Sequence, residues 1–181
     1  MKEYKVLKSF KRFDIIQIEG HEKIKMKSMS VGVMPFTVDD MGMISKVGLL
    51  KEYNVMREGD YCHTLITGTV DNKDADLLST AKRELLEEGG YTTPENENER
   101  WIYLGNFYPY KDSDRQVPTF AVDVTGLSAK TPETDGSKKE MLSKLEMLPS
   151  NEIMVTEETL ALAAFLRLFN YFYLKATGNV Q

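Results

Sequence analysis

A helical segment set between two β-rich regions most constrains the fold of this chain. Over residues 75–88, apolar side chains recur at the spacing of one helix face: Leu77, Leu78, Ala81 and Leu85. Gly89 and Gly90 follow directly. Glycine is common just past a helix C-terminus, so the helix is predicted to end there.

Strand-like segments lie on both sides of this helix. They are predicted at residues 1–29, 31–38, 43–53, 63–67, 101–108, 119–124 and 141–148. A second helix is predicted from an N-cap at Thr156 to residue 175. Its aromatic residues are expected in the core, with a dimer surface as the alternative: Phe165, Phe169, Phe172 and Tyr173. This order predicts an α+β fold, a mixed sheet sandwiched between helices (α/β/α). It forms a single domain over residues 1–181, with residues 1–29 as an N-terminal β-hairpin or meander extension.

Composition excludes several classes of protein. The 181 residues include 28 acidic and 23 basic side chains, a net charge of −5. Proteins that bind nucleic-acid polymers or membrane surfaces usually carry a basic excess, so neither partner is expected. The single cysteine excludes an internal disulfide, and no secretory signal or membrane-length apolar run is visible. The expected location is cytoplasmic.

Three glutamates mark the end of the first helix. Glu84, Glu87 and Glu88 stand at i, i+3 and i+4, so they share one face with Cβ atoms about 5–6 Å apart. Like charges repel, and the C-terminal end of a helix disfavours anions. Either this face is solvated surface, or a hard cation neutralises it. Mg²⁺ and Mn²⁺ bind carboxylates and bridge to phosphates, so the second interpretation predicts a metal platform for a phosphorylated substrate.

The segment from Arg83 to Tyr91, R-E-L-L-E-E-G-G-Y, resembles the second half of the Nudix box, G-x5-E-x7-R-E-U-x-E-E-x-G-U, where U is bulky and apolar. The preceding strand, ending at Gly68, resembles its start, so the box would span residues 68–91. The first half departs from the pattern. Its spacing is one residue longer, and Asp74 or Ala75 stands where the early glutamate is expected.

The resemblance implies a Nudix fold and a Nudix pyrophosphohydrolase that cleaves a nucleoside diphosphate linked to another moiety. Glu84, Glu87 and Glu88 would hold Mg²⁺ or Mn²⁺, with the backbone carbonyl of Thr67 as a further ligand. Arg83 would orient the glutamates, and Glu84 and Glu88 would be catalytic with it. The metal would polarise a phosphoryl oxygen and activate the attacking water.

The layout of the chain most resembles the ADP-ribose pyrophosphatase group. The resemblance implies ADP-ribose or a nucleoside diphosphate sugar as the small nucleotide substrate, and a homodimer formed through the N-terminal extension. Tyr108 and Tyr110 could stack on the base or ribose, with rim or core packing as the alternative. In that group a glutamate of a late loop can act as general base.

The candidates for that base are, in order of preference, Glu140, Glu133 and Asp135. Arg57 and Arg115 are candidate phosphate ligands, with plain surface arginines as the alternative.

Other functions stay open. Within the enzyme class, the substrate could be a dinucleoside polyphosphate, NADH or a nucleoside triphosphate. Outside it, the chain could be a non-catalytic Nudix-like module that binds a nucleotide or a partner. Cys62 beside His63 suggests a nucleophile pair, but neighbours on a strand point to opposite faces, which favours a buried free thiol.

Overall fold

A computed structural model describes residues 3–54, 60–132, 143–156 and 158–179. Its strands are β1 (Lys5–Ser9), β2 (Phe13–Ile18), β3 (His21–Met26), β4 (Ser30–Val38), β5 (Ile44–Tyr53), β6 (Tyr61–Thr64), β7 (Ile66–Thr69), β8 (Trp101–Phe107), β9 (Val117–Asp123) and β10 (Lys144–Pro149). The α-helices are α1 (Leu77–Gly89) and α2 (Thr159–Ala176), and short 3₁₀ turns cover Asn98–Arg100 and Glu152–Val155.

The main sheet has seven strands. Its central path runs β10-β5-β4-β9-β8, with β6 paired to β5 and β7 paired to β4. The β4–β9 pair is parallel and the other pairs are antiparallel, so the sheet is mixed. The predicted α+β class with a mixed sheet is therefore confirmed.

The two helices pack against opposite faces of this sheet. Along β4, the side chains of Val31 and Val33 pack in one apolar core with Leu85 of α1. The side chains of Met34 and Phe36 pack in the other core with Leu168 of α2. Side chains alternate between the two faces of a strand, so consecutive residues supply the two cores. The predicted arrangement of the sheet between helices follows from this alternation.

The N-terminal extension forms its own three-stranded antiparallel sheet, in the order β1-β2-β3. Its β3 edge is held by the loop after β8. The amide of Ile24 donates to the carbonyl of Asp112 (2.8 Å), and the amide of Met26 donates to the Asp114 carboxylate (2.7 Å). This attachment places the small sheet beside the segment that carries Tyr110 and Arg115.

The predicted strand at 63–67 is interrupted. The chain pairs with β5 through β6 and then with β4 through β7, and buried Leu65 lies where it changes partner. Gly68 consequently lies inside β7, and the loop before α1 starts only after Thr69. The prediction that the loop begins at Gly68 is wrong, because pairing with β4 continues through Gly68 and Thr69.

The second helix starts later than predicted. Residues Glu152–Val155 turn as a 3₁₀ helix, and Thr156 ends that turn. The N-cap of α2 is Glu158, whose carboxylate accepts the amides of Leu160 and Ala161. Two of its four predicted core aromatics are also misplaced, because Phe169 and Tyr173 are about half exposed, at 51% and 59%.

None of the helices in the described ranges is long and apolar enough to cross a membrane.

Candidate functional site

The start of α1 is organised by two aspartates. The carboxylate of Asp76 caps the helix by accepting the amide and the hydroxyl of Ser79, both at 2.7 Å. The carboxylate of Asp74 accepts the amide of Asp71 and the hydroxyl of Thr80, both at 2.9 Å. These hydrogen bonds fix the loop between β7 and α1. They orient the Asp74 carboxylate toward Arg83 on the helix.

Arg83 is the centre of the site. Its Nε and Nη2 donate to the two carboxylate oxygens of Asp74, at 3.2 and 3.0 Å, in a bidentate pair. Nη2 also donates to the carbonyl of Thr69 (3.0 Å). Nη1 donates to Glu84 Oε1 (2.6 Å) and to Glu87 Oε2 (2.8 Å). One guanidinium therefore fixes two glutamates of the helix and ties them to the loop and to β7.

Asp74 and Arg83 each stabilise the charged form of the other. The Arg83 guanidinium holds the pKa of Asp74 well below its usual range, with help from the amide of Asp71 and the hydroxyl of Thr80. In return, Asp74 first, and then Glu84 and Glu87, raise the pKa of Arg83. Asp74 and Arg83 are therefore both charged at neutral pH.

Glu84 is buried against the backbone of β7. Only 7% of it is exposed, and its carboxyl group lies directly over Gly68. A Cβ added to Gly68 would lie 1.7 Å from Glu84 Cδ and 1.8 Å from Oε1, so no side chain fits there. Gly68 thus provides the space that lets the Glu84 carboxylate pack on the sheet.

The three box glutamates differ in exposure. Glu84 is buried, whereas Glu87 and Glu88 are half-buried on the same helix. Thr67 lies on β7 opposite Gly32, next to Gly68. These side chains offer hard oxygen donors, which fit Mg²⁺ or Mn²⁺ chemically.

The described residues do not form a preassembled metal centre, because no group of three or more His, Cys, Asp or Glu in those ranges is arranged around one point. Arg83 instead occupies one oxygen of Glu84 and one of Glu87. Mg²⁺ generally takes one or two carboxylates and completes its shell with water and substrate phosphate. The donor set is therefore compatible with that ion without a closed protein cage.

Three of the predicted substrate residues, Tyr108, Tyr110 and Arg115, lie at the same end of the sheet as the loop between β7 and α1. Ser30 pairs with Thr69, and Val117 pairs with Phe107, so the end of β7, the start of β4 and the loop after β8 share that end. Tyr108 and Tyr110 are 63% and 60% exposed in this loop. Their interpretation as core aromatics is wrong, whereas stacking on a ligand and packing at the rim both stay open.

Arg115 borders a pocket of about 290 Å³ at this end, with Ser28, Met29 and Gln116. It is half-buried, and its Nε atom is buried without a hydrogen-bond partner. Lys27 also lines the pocket, but its ammonium is bound to Asp14 (2.8 Å), to Ser9 and to the carbonyl of Phe10. Asp114 also lines the pocket, and its carboxylate accepts the amide of Met26. Among the described residues that line it, Arg115 is thus the cation that an anion could engage. Four other predicted site residues lie outside the described residues: Arg57, Glu133, Asp135 and Glu140.

The anchoring role of Asp74 was missed at the sequence level. Its place in the box, where an early acidic residue is expected, was the available signal. A second pair was missed because its members are 83 residues apart: His63 Nε2 lies 2.9 Å from Glu146 Oε2. The Cys62 sulfur instead accepts a hydrogen bond from Asn54 Nδ2 (3.7 Å). Cys62 is in no disulfide and is half-buried, so the prediction of a buried thiol is wrong.

Comparison with solved structures identifies a shared fold. The chain superposes on the crystal structure of an ADP compounds hydrolase with a TM-score of 0.67, over 98% of this chain and 95% of the other, at 16% sequence identity. No protein-family model matches the sequence, and no curated protein matches it either. The similarity therefore establishes the fold of this chain.

Proposed function

We propose that this chain is a Nudix-type, metal-dependent hydrolase that cleaves the pyrophosphate bond of a nucleoside diphosphate linked to another moiety. ADP-ribose or a nucleoside diphosphate sugar is the preferred substrate. The proposal rests on the cluster in which Arg83 binds the carboxylates of Glu84 and Glu87, with Glu84 packed on Gly68. These residues belong to the segment that resembles the Nudix box. The hydrolase of ADP compounds that shares the fold supports the same class of reaction. The single free thiol, Cys62, suits a cytoplasmic setting.

In this proposal Glu84, Glu87 and Glu88, with the carbonyl of Thr67, hold Mg²⁺ or Mn²⁺. When bound, the metal supplies charge neutralisation for the diphosphate and lowers the pKa of a water. The contribution of the chain is positioning. Arg83 holds Glu84 and Glu87 in place, and Asp74 prevents Arg83 from rotating away because it binds the guanidinium at two points.

The remaining roles concern the substrate and the proton. The exposed rings of Tyr108 and Tyr110 are proposed to stack on the base or ribose. Glu140 is proposed as the general base, with Glu133 and Asp135 as the next candidates, and Arg57 as a further phosphate contact.

Arg115 is proposed to bind a phosphate of the substrate. A buried guanidinium nitrogen without a partner is costly, and an incoming phosphate would satisfy it with a charge-assisted hydrogen bond. Arg115 lies at the same end of the sheet as Thr69, the residue that follows Gly68, and this shared location favours a ligand that contacts both Arg115 and the glutamates.

The test is a substrate panel with Mg²⁺ and with Mn²⁺. ADP-ribose should yield AMP and ribose 5-phosphate, separated by ion-exchange chromatography. Nucleoside diphosphate sugars, dinucleoside polyphosphates, NADH and nucleoside triphosphates form the rest of the panel. Product from one of the last three classes alone would move the assignment to another Nudix substrate. Tight calorimetric binding of a nucleotide with no product from any compound would instead identify a binding module.

Replacement of one box glutamate tests the metal assignment. Glu88→Gln should reduce kcat by more than roughly 100-fold, because loss of residues that merely support a metal ligand already costs about 10–100-fold. Its melting temperature should be unchanged or higher, since one of several like charges is removed. Glu95→Gln, at an exposed position, makes the same charge change and should retain full activity. Full activity of Glu88→Gln would refute the assignment.

A further inference from the structure

The strand β8 contains a β-bulge just before the exposed loop of residues 108–116. Between the positions where Tyr103 and Gly105 pair with β9, β8 carries one extra residue, Leu104. Gly105 adopts a positive φ of 94° there, a backbone conformation that favours glycine. Bulges are common beside functional sites, where they redirect the side chains that follow them.

The bulge changes the face of the sheet on which the later side chains of β8 lie. Ile102 and Leu104 pack in the core beneath α2, and strict alternation would next place residue 106 in that core. Phe107 packs there instead. Asn106 consequently lies on the opposite face, where the Tyr103 hydroxyl donates to its side-chain oxygen (2.6 Å). The bulge therefore places Asn106 on the face of the sheet that α1 covers.

Asn106 connects the bulge to the pocket of Arg115. Its side-chain amide donates to the side-chain oxygen of Gln116 (3.5 Å), and Gln116 lines that pocket together with Arg115. At the end of β8, Phe107 is followed directly by Tyr108. The conformation of the bulge thus bears on both the pocket and the exposed tyrosines.

Arg167 of α2 holds the bulge from the other face of the sheet. Its Nη1 donates to the carbonyls of Leu104 (2.6 Å) and Asn106 (3.5 Å), which flank Gly105. Its guanidinium carbon lies 4.2 Å from the centroid of the Phe107 ring, a cation–π contact. A Cβ added to Gly105 would lie 2.5 Å from Nη1, so the guanidinium occupies the space that glycine leaves free.

We propose that Arg167 is a positioning residue for substrate binding, because it fixes the bulge of β8 and thereby the loop of residues 108–116. That loop carries Tyr108, Tyr110 and Arg115, so the proposal rests on the proposed function for the roles of these residues. Arg167 itself contacts no substrate group. The box glutamates lie on α1, across the sheet, so loss of Arg167 should weaken nucleotide binding and leave the chemical step unchanged.

Steady-state kinetics of Arg167→Ala test the proposal. KM for ADP-ribose should rise roughly tenfold, about the effect of losing one base–aromatic stack, while kcat should not change. Arg167→Lys should recover part of the affinity, because its ammonium can donate to the same carbonyls but has no planar group to lie over Phe107. Lys175→Ala removes the same charge from an exposed position of α2 and should change neither constant. An unchanged KM in Arg167→Ala would overturn the proposal, and so would a loss confined to kcat.

Hydrogen exchange without nucleotide separates this proposal from the proposed function. Amides of residues 108–116 should exchange roughly tenfold faster in Arg167→Ala, because a hydrogen bond from a charged donor is lost, whereas those of α1 should not change. Unchanged exchange in that loop would overturn the proposal. A wild type that neither cleaves nor binds any compound of the panel would refute the proposed function and the substrate role of Arg167, and the exchange rates would then decide whether Arg167 positions the loop. Should Arg167→Ala not fold, Arg167→Met, which keeps the apolar part of the side chain, takes its place with the same expected effects.

Discussion

The close packing of Glu84 on Gly68 leads to a strong prediction for Gly68→Ala. The new Cβ would lie 1.7, 1.8 and 2.2 Å from Glu84 Cδ, Oε1 and Cγ, distances that no structure accommodates. Glu84 must therefore leave its buried position, and its bond to Arg83 Nη1 (2.6 Å) must break. The φ angle of Gly68 is not in the left-handed region, so backbone strain adds nothing to this effect.

The magnitude follows from the two consequences. Overpacking costs about 1–3 kcal/mol. Loss of the hydrogen bond to the Arg83 guanidinium costs about 1.5–3 kcal/mol more, because the displaced carboxylate moves toward water and is not left buried and unpaired. Replacement of glycine by alanine recovers about 0.5–1 kcal/mol, because it reduces the freedom of the unfolded chain. The net loss in the free energy of unfolding is therefore about 2–5 kcal/mol. For a chain of this length, about 3 kcal/mol lowers the melting temperature by about 9 °C.

Urea unfolding of a double-mutant cycle is the decisive measurement. Glu84→Ala removes all three clashing atoms, so Gly68→Ala in the Glu84→Ala background should cost less than about 1 kcal/mol. Equal costs in the two backgrounds, or a loss below about 1 kcal/mol in the wild type, would refute the proposed packing.

Two further predictions concern the aspartates before α1. The lowered pKa of Asp74 means that its bond to Arg83 stabilises the fold fully above about pH 5 and is lost as the pH falls toward that lowered pKa. Asp74→Asn should cost about 2–3 kcal/mol at pH 7, and its difference from the wild type should shrink below about pH 4; a constant difference from pH 7 to 3 would contradict this. Asp76→Ala removes the N-cap of α1 and should lower the urea midpoint of unfolding, because the amide of Ser79 loses its acceptor. Asp40→Ala, at an exposed position, is the control for the charge change, and an equal loss there would argue against capping.

Local chemistry made much of the fold predictable. The end of α1 followed from glycine alone: Gly90 adopts a positive φ of 71°, and its amide returns to the carbonyls of Leu85 and Leu86. The central strand β4 followed from its continuous apolar run. The shared face of Glu84, Glu87 and Glu88 followed from helical periodicity, which depends only on spacing along the chain.

Contacts between distant segments decided the rest. Whether Gly68 ends a strand or lies within one depends on how far β7 pairs with β4, which no local pattern encodes. The start of α2 at Thr159 depends on the 3₁₀ turn that precedes it. The exposure of Phe169 and Tyr173 depends on which of two apolar helix faces the sheet covers.

The candidate site shows the same division. By itself, the sequence determined which residues can supply carboxylates and a guanidinium on one helix, because their spacing is local. Only the tertiary structure decided that Arg83 donates hydrogen bonds to Asp74, nine residues earlier in the chain. It also decided that the Glu84 carboxyl group packs against Gly68, where no side chain fits. Those two contacts require the loop and the strand to meet the helix at a particular distance, and that distance is set by packing of the whole sheet against α1.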